Sequence, residues 1–234
     1  MSEIKISKSD LKVFEDTKIM GTGEEAICYF FPASDDTVIK IYHSNIRPLK
    51  VNYTDQKSSY IAFPKEIYKD KETEEILAIT MPFLPGEKLE QGFSRAINII
   101  KLQEAYSILH QELDKYCDIY MVDMCLDNIL YDELTNRFYL IDTGRWHNLP
   151  DVSSLNQARI DLNLANALTK TLTWLKDYPN LQAENPRLHS FYINSRDGRY
   201  SPFLEYLQQV QSFVFEKFGV NAETLGDLEA KSVK

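Results

Sequence analysis

The sequence predicts an α+β fold in two lobes. Three observations carry that prediction: strand-like segments dominate before about residue 85, helical periodicity dominates after it, and Leu84-Pro85-Gly86 marks the change. The expected division is a small β-rich lobe over residues 1–85 and a mostly helical lobe over residues 86–234.

In the first lobe, Ala26 to Phe31 is an apolar, aromatic-rich run, Ser34-Asp35-Asp36 reads as a turn, and Thr37 to Tyr42 is rich in β-branched residues. Together they predict a hairpin. Lys65 to Tyr68 and Ile76 to Phe83 are two further candidate strands, separated by a charged turn. In the second lobe, Ser94 to Tyr116 carries Ile97, Ile100, Leu102, Ala105, Ile108, Leu109 and Leu113, mostly at i, i+3/i+4 spacing. That pattern predicts a helix with one broad apolar face. A second helix is expected from about Val152 to Leu175 and a third from about Pro202 to Phe218. Strand-like pieces at Asn128 to Tyr131 and Arg137 to Ile141 lie between the first two helices.

A chain of 234 residues can bury a substantial core, and 14 Tyr and 12 Phe argue against disorder. The formal net charge of −9 would repel a phosphate backbone, so nucleic acid is not expected as a main partner. Cys28, Cys117 and Cys125 are odd in number and lack zinc spacing, which fits a reducing compartment. No stretch approaches the roughly 20 apolar residues that span a bilayer. Glu3, Asp10, Glu15 and Asp16 interrupt the first 18 residues. A cytoplasmic protein without a membrane partner is the expectation.

Three elements point to phosphate chemistry. Gly21-Thr22-Gly23-Glu24-Glu25-Ala26 precedes a strand, and glycines let a backbone approach phosphates closely. Lys40 closes the apolar strand that follows, where its ammonium can reach phosphate oxygens. Asp123-Met124-Cys125-Leu126-Asp127-Asn128 gives a D-x-x-x-x-N spacing, and Phe138 to Ile141 leads into Asp142-Thr143-Gly144. One carboxylate can orient a hydroxyl and take its proton, while an amide oxygen and a second carboxylate can hold metal ions on phosphates. Alone, the glycine element and the Asp/Asn segments also read as turns, and Lys40 as a strand-end lysine in water. Their order and spacing together favour the chemical reading.

From about Ile19 to Leu172 the sequence resembles the protein-kinase-like superfamily, on these motifs and in this register. The resemblance implies a Gly-rich loop at Gly21, Thr22 and Gly23, a phosphate-binding Lys40, a catalytic Asp123, and metal ligands Asn128 and Asp142. It also implies a gatekeeper Met81 and a hinge at which the Pro82 carbonyl and the Leu84 N–H meet adenine. Leu109-His110 resembles the end of the family's long helix. Asp161 resembles the buried aspartate that supports the catalytic loop. The stretch Gly21 to Tyr42 also resembles the start of RIO-type kinases.

Several positions depart from the pattern. Met121-Val122 replaces His-Arg, and Cys125 stands where protein kinases commonly carry a lysine. Ile41 to Phe63 contains no Glu to pair with Lys40, leaving Asp55 as the nearest acidic candidate. The short run from Asp142 to Asp161 leaves no room for a full activation segment. The resemblance implies an atypical phosphotransferase that uses ATP and Mg²⁺ on a protein or small-molecule hydroxyl. A pseudokinase or nucleotide-binding scaffold is the alternative, as is nucleotidyl transfer on the same fold.

Overall fold

The structure, a computed structural model, describes residues 2–32, 34–43, 51, 53, 56–178, 181 and 202–229. The chain forms two compact units: Met1–Pro85 with Leu140–His147, and Gly86–Tyr139 with Asn148–Lys234. Asp55 lies outside the described residues.

The first unit is built on a six-stranded sheet. Its strands are β1 (Ser2–Ile6), β2 (Ile19–Thr22), β3 (Ala26–Phe30), β4 (Thr37–Tyr42), β5 (Glu66–Asp70) and β6 (Ile76–Pro82), in the order β1-β5-β6-β4-β3-β2. The expected hairpin is β3–β4, antiparallel, with Cys28 opposite Lys40. Alternation along β4 divides the core in two. Ile39 joins Leu11, Tyr29, Tyr68, Leu77 and Ala78 in one cluster. Val38 joins Ala62, Ile67, Ile79 and Met81 in the other, with Tyr42, Leu84 and Ile141 packed against it.

Two strands go beyond the sequence reading. β1 pairs in parallel with β5, from Ser2 opposite Glu66 to Ile6 opposite Asp70. Ile4 and Ile6 pack against the first cluster, while Lys5 pairs with Glu74 and Lys69 with Glu3 at 2.6 Å. A five-residue strand with only two apolar side chains gives little periodicity to read. β2 adds the other edge beside β3.

The second unit is helical, with a small sheet. β7 (Glu87–Lys88), β9 (Ile129–Asp132) and β10 (Arg137–Leu140) form that sheet in the order β10-β9-β7; β8 (Ile119–Tyr120) precedes β9 in the chain. α1 spans Ile99–Leu113 and starts where the Asn98 side chain accepts from the Lys101 N–H at 3.1 Å. Its buried face is Ile99, Leu102, Ala105, Tyr106, Leu109 and Leu113. Ile100 and Ile108, counted toward the apolar face, are 65% and 38% exposed. They fall outside the 99/102/106/109/113 seam and face water. α2 (Ser153–Thr171) stops before Leu175, and a short 3-10 turn follows at Thr173–Asp177. α3 (Pro202–Phe218) buries Phe203, Tyr206, Leu207, Val210 and Val214; α4 is Leu225–Glu229. Among the described residues, no helix is long and apolar enough to cross a membrane.

One glycine of the second unit is fixed by sterics. Gly86 has φ of 114°, and a Cβ there would stand 2.8 Å from the Tyr131 carbonyl carbon and oxygen. Gly86→Ala is therefore expected to cost more than ~1 kcal/mol, a drop of at least about 2–4 °C in melting temperature for a chain of this size. Gly21→Ala has nothing within 4 Å to meet and should stay within about 0.5 kcal/mol of the parent. Equal melting temperatures for the two variants would contradict the close approach of Gly86 to Tyr131.

Candidate functional site

In the first unit, β2 and β3 enclose the glycine-rich turn. The Gly23 N–H donates to the Ala26 carbonyl at 2.9 Å, closing a loop that exposes Thr22, Gly23, Glu24 and Glu25. His43 Nε2 lies 3.3 Å from the Gly23 carbonyl oxygen. Neither Gly21 nor Gly23 has a left-handed backbone, and among the described residues only the Ala26 oxygen, 3.8 Å from a Cβ on Gly23, comes near either. The fold itself does not demand glycine at these two positions.

Lys40, Val38 and Tyr42 share one face of β4 by alternation. Met81 lies opposite Val38 and is buried. Pro82 ends β6, and Leu84 packs against the same cluster as Met81. Lys40 is only 8% exposed, and a buried ammonium needs an anion close by. That anion is Asp142, whose Oδ1 accepts from Lys40 Nζ at 2.5 Å. The Lys40 ammonium also stands 5.6 Å from the centre of the Tyr42 ring.

Asp142 is held in a left-handed conformation, φ 59° and ψ 60°, at the start of the turn Thr143–Arg145. Such a backbone is uncommon for a non-glycine residue and needs support from its surroundings. Tyr53 Oη donates to the Thr143 carbonyl at 2.5 Å, and Thr143 Oγ1 donates to the Ala62 carbonyl at 3.2 Å. Trp146 packs edge-on against Phe63. Upstream, the Ala62 N–H donates to the Leu140 carbonyl and the Leu140 N–H to the Tyr60 carbonyl.

The other two candidate residues lie in the second unit. Asp123 is exposed and also left-handed, with φ of 62°. Asn128 Nδ2 donates to the Asp123 carbonyl at 2.8 Å, which directs the amide oxygen away from that bond. α2 holds the loop that carries them. Asn156, fully buried, accepts from the Met121 N–H at 3.0 Å and donates to the Ile119 carbonyl at 2.7 Å. Arg159 donates to Tyr120 Oη at 2.8 Å, and Asn163 donates to the Met124 carbonyl at 2.8 Å. The sequence reading missed these three. Their 156/159/163 spacing, which places the three on one side of the helix, was the available signal.

Asp161 is buried, as the resemblance implies, and sits inside α2. Its Oδ1 accepts from Tyr106 Oη at 2.7 Å and lies 3.0 Å from His110 Nε2, so its contacts go to α1 instead of the loop.

No family model matches the chain, and no curated protein matches it. Solved structures do. One of them, a pseudokinase in its apo form, superimposes with a TM-score of 0.53 at 11% sequence identity, covering 87% of each chain. The fold is therefore protein-kinase-like, a class that includes catalysts and pseudokinases alike.

Burial raises the Tyr42 and Tyr53 phenols well above the ordinary tyrosine range, and the Asp142 charge adds to the shift of both. Burial also pushes Tyr131 and Tyr206 up to about 12. A phenol raised on folding contributes stability that is whole below its unfolded pKa of about 10 and is lost as pH climbs toward the folded value. Urea midpoints should hold level from about pH 8 to 9.5 and fall beyond about 10. Tyr42→Phe should flatten that fall relative to the parent; an unchanged slope would mean that the phenol is solvated. Asn156→Ala, which strands two buried backbone groups, should destabilise by on the order of 2 kcal/mol.

Proposed function

We propose that the chain binds ATP with Mg²⁺ and transfers the terminal phosphoryl group to a hydroxyl on a protein or small molecule. The observation that supports this best is the meeting of Lys40 with Asp142, residues 102 positions apart in the chain. A cation for phosphates and a carboxylate for a metal ion stand together beside a glycine turn whose glycines the fold does not require.

The donor chemistry fits magnesium. Mg²⁺ takes hard oxygen ligands and is commonly held by one or two protein groups plus phosphates and water. Asp142 offers a carboxylate that is 39% exposed, and Asn128 offers an amide oxygen while its nitrogen is engaged by Asp123. Bound Mg²⁺ would supply positive charge that neutralises the phosphates during transfer.

The remaining work falls to side chains. Gly21, Thr22 and Gly23 would cover the phosphates and Lys40 would neutralise them. Met81, Pro82 and Leu84 would receive the adenine. Asp123 would orient the acceptor hydroxyl. As the acceptor oxygen forms its bond to the γ-phosphorus, the bond from that phosphorus to the β–γ bridging oxygen breaks. ADP departs, and the hydroxyl proton passes to Asp123.

A nucleotide-binding pseudokinase is the second reading. The lack of a Glu from Ile41 to Phe63 to pair with Lys40, and Cys125 where protein kinases commonly carry a lysine, favour it.

Nucleotide binding and transfer separate the two. ATP with Mg²⁺ at about 100 times its Kd should stabilise the protein by ~2.7 kcal/mol, and chelation should remove the shift. Asp123→Ala should leave ATP affinity nearly intact and lower phosphoryl transfer by on the order of 10²–10⁴-fold. Asp142→Ala should lower both, and Lys40→Ala should resemble it more mildly. Full transfer by Asp123→Ala would remove that residue from catalysis. Tight binding by the parent with no transfer to any acceptor or to water would establish the pseudokinase reading.

A further inference from the structure

Two residues that the mechanism above does not use tie the glycine turn to the Asp142 turn. Glu25 lies between Gly23 and Ala26 at the tip of the first; Arg145 closes the second, three positions after Asp142. The Arg145 guanidinium is ion-paired with the Glu25 carboxylate across 120 positions of sequence. The side chains are 53% and 48% exposed. Such half-solvated pairs contribute little to stability, so the fold does not depend on this one.

The charges around the two turns pose a problem for a polyphosphate. The glycine turn carries Glu24 and Glu25, both exposed. Lys40 already faces Asp142 at 2.5 Å. Phosphates reaching the turn, beyond what Lys40 and Mg²⁺ neutralise, would meet the carboxylates of Glu24 and Glu25. Arg145 is a cation beside the turn that can change the balance, since a guanidinium binds phosphate through the same paired N–H geometry with which it binds carboxylate. Gly144 adds reach: a Cβ there would stand 3.8 Å from Asp142 Oδ1 and 3.4 Å from Tyr42 Oη, so the backbone leading to Arg145 runs beside the metal-binding carboxylate.

We propose that Arg145 is a phosphate-binding residue, held by Glu25 until the β- and γ-phosphates of a nucleotide replace that carboxylate; this rests on the nucleotide reading given above. The exchange moves one negative charge out to solvent and brings one positive charge onto the phosphates. It also makes recognition depend on the number of phosphates, because AMP has none that extends to the turn.

Calorimetric titration of ATP, ADP and AMP with Mg²⁺ tests the exchange in the parent, Arg145→Gln, Arg145→Lys, Glu25→Gln and the Glu25→Gln/Arg145→Gln double variant. Arg145→Gln should weaken ATP by about tenfold or more, as expected for loss of a charge-assisted bond, and leave AMP unchanged. Arg145→Lys should fall between it and the parent. Glu25→Gln should tighten ATP several-fold, and that gain should vanish in the double variant. Parental ATP affinity in Arg145→Gln, or an equal loss for AMP, would overturn the assignment while leaving nucleotide binding intact. Weaker ATP binding in Glu25→Gln would make the pair a structural tie and also overturn it. A parent that binds no nucleotide would overturn the nucleotide reading and this inference together.

Discussion

An ammonium that folding removes from water must find an anion, and in this chain the requirement reaches across 102 positions of sequence. Lys40 sits on the central strand β4 with 8% exposure, and the carboxylate that meets it belongs to Asp142. The segment Leu140–His147 consequently packs in the amino-terminal unit. Its placement is fixed at several points: Ile61 bridges Leu140 in parallel, Thr143 exchanges hydrogen bonds with Ala62 and Tyr53, and Trp146 lies against Phe63. These contacts also hold Asp142 in its left-handed conformation. A strained backbone at a carboxylate, maintained by surrounding packing, is the arrangement expected where geometry matters more than local comfort.

The second unit solves a related problem with neutral groups. The loop from Met121 to Asn128 has little regular structure, so its backbone polar groups need partners from elsewhere. Asn156 and Asn163 supply amides and Arg159 supplies a guanidinium, from positions on a single helix. An amide can donate and accept at once, which lets one buried Asn156 serve both a carbonyl and an N–H. Anchored through its backbone in this way, the loop keeps the Asp123 side chain exposed.

How much of this could be read from the residues alone depended on range. The β3–β4 hairpin was legible because two apolar runs flank a turn signal, and α3 was legible because its apolar positions hold a steady period. The spacing of Asp123, Asn128 and Asp142 is visible in the sequence as a pattern that suggests phosphate chemistry. The partner of Lys40 is not visible there. The family resemblance points to Ile41–Phe63, where Asp55 lies outside the described residues, and the Asp142 contact comes from 102 positions away. β1 was hidden because its stability comes from pairing with β5, and a short strand of alternating charge does not advertise a neighbour in sequence. Ile100 and Ile108 show the converse error: periodicity counts apolar residues without knowing which stripe the rest of the core will cover.

The division of the chain has a consequence for synthesis on the ribosome. The amino-terminal sheet is complete as a set of strands by Pro82, yet the residues that neutralise its buried lysine arrive only with Leu140–His147, after the whole of α1 has been made. Until that stretch emerges, the nascent sheet lacks the Asp142 carboxylate that meets Lys40 and the Ile141 side chain that packs on the apolar face at Ala62, Met81 and Leu84. Domains generally fold as units during vectorial synthesis, but this one is discontinuous in sequence. A nascent chain halted anywhere between Pro85 and Leu140 therefore presents chaperones with a sheet that has all its strands and no closure.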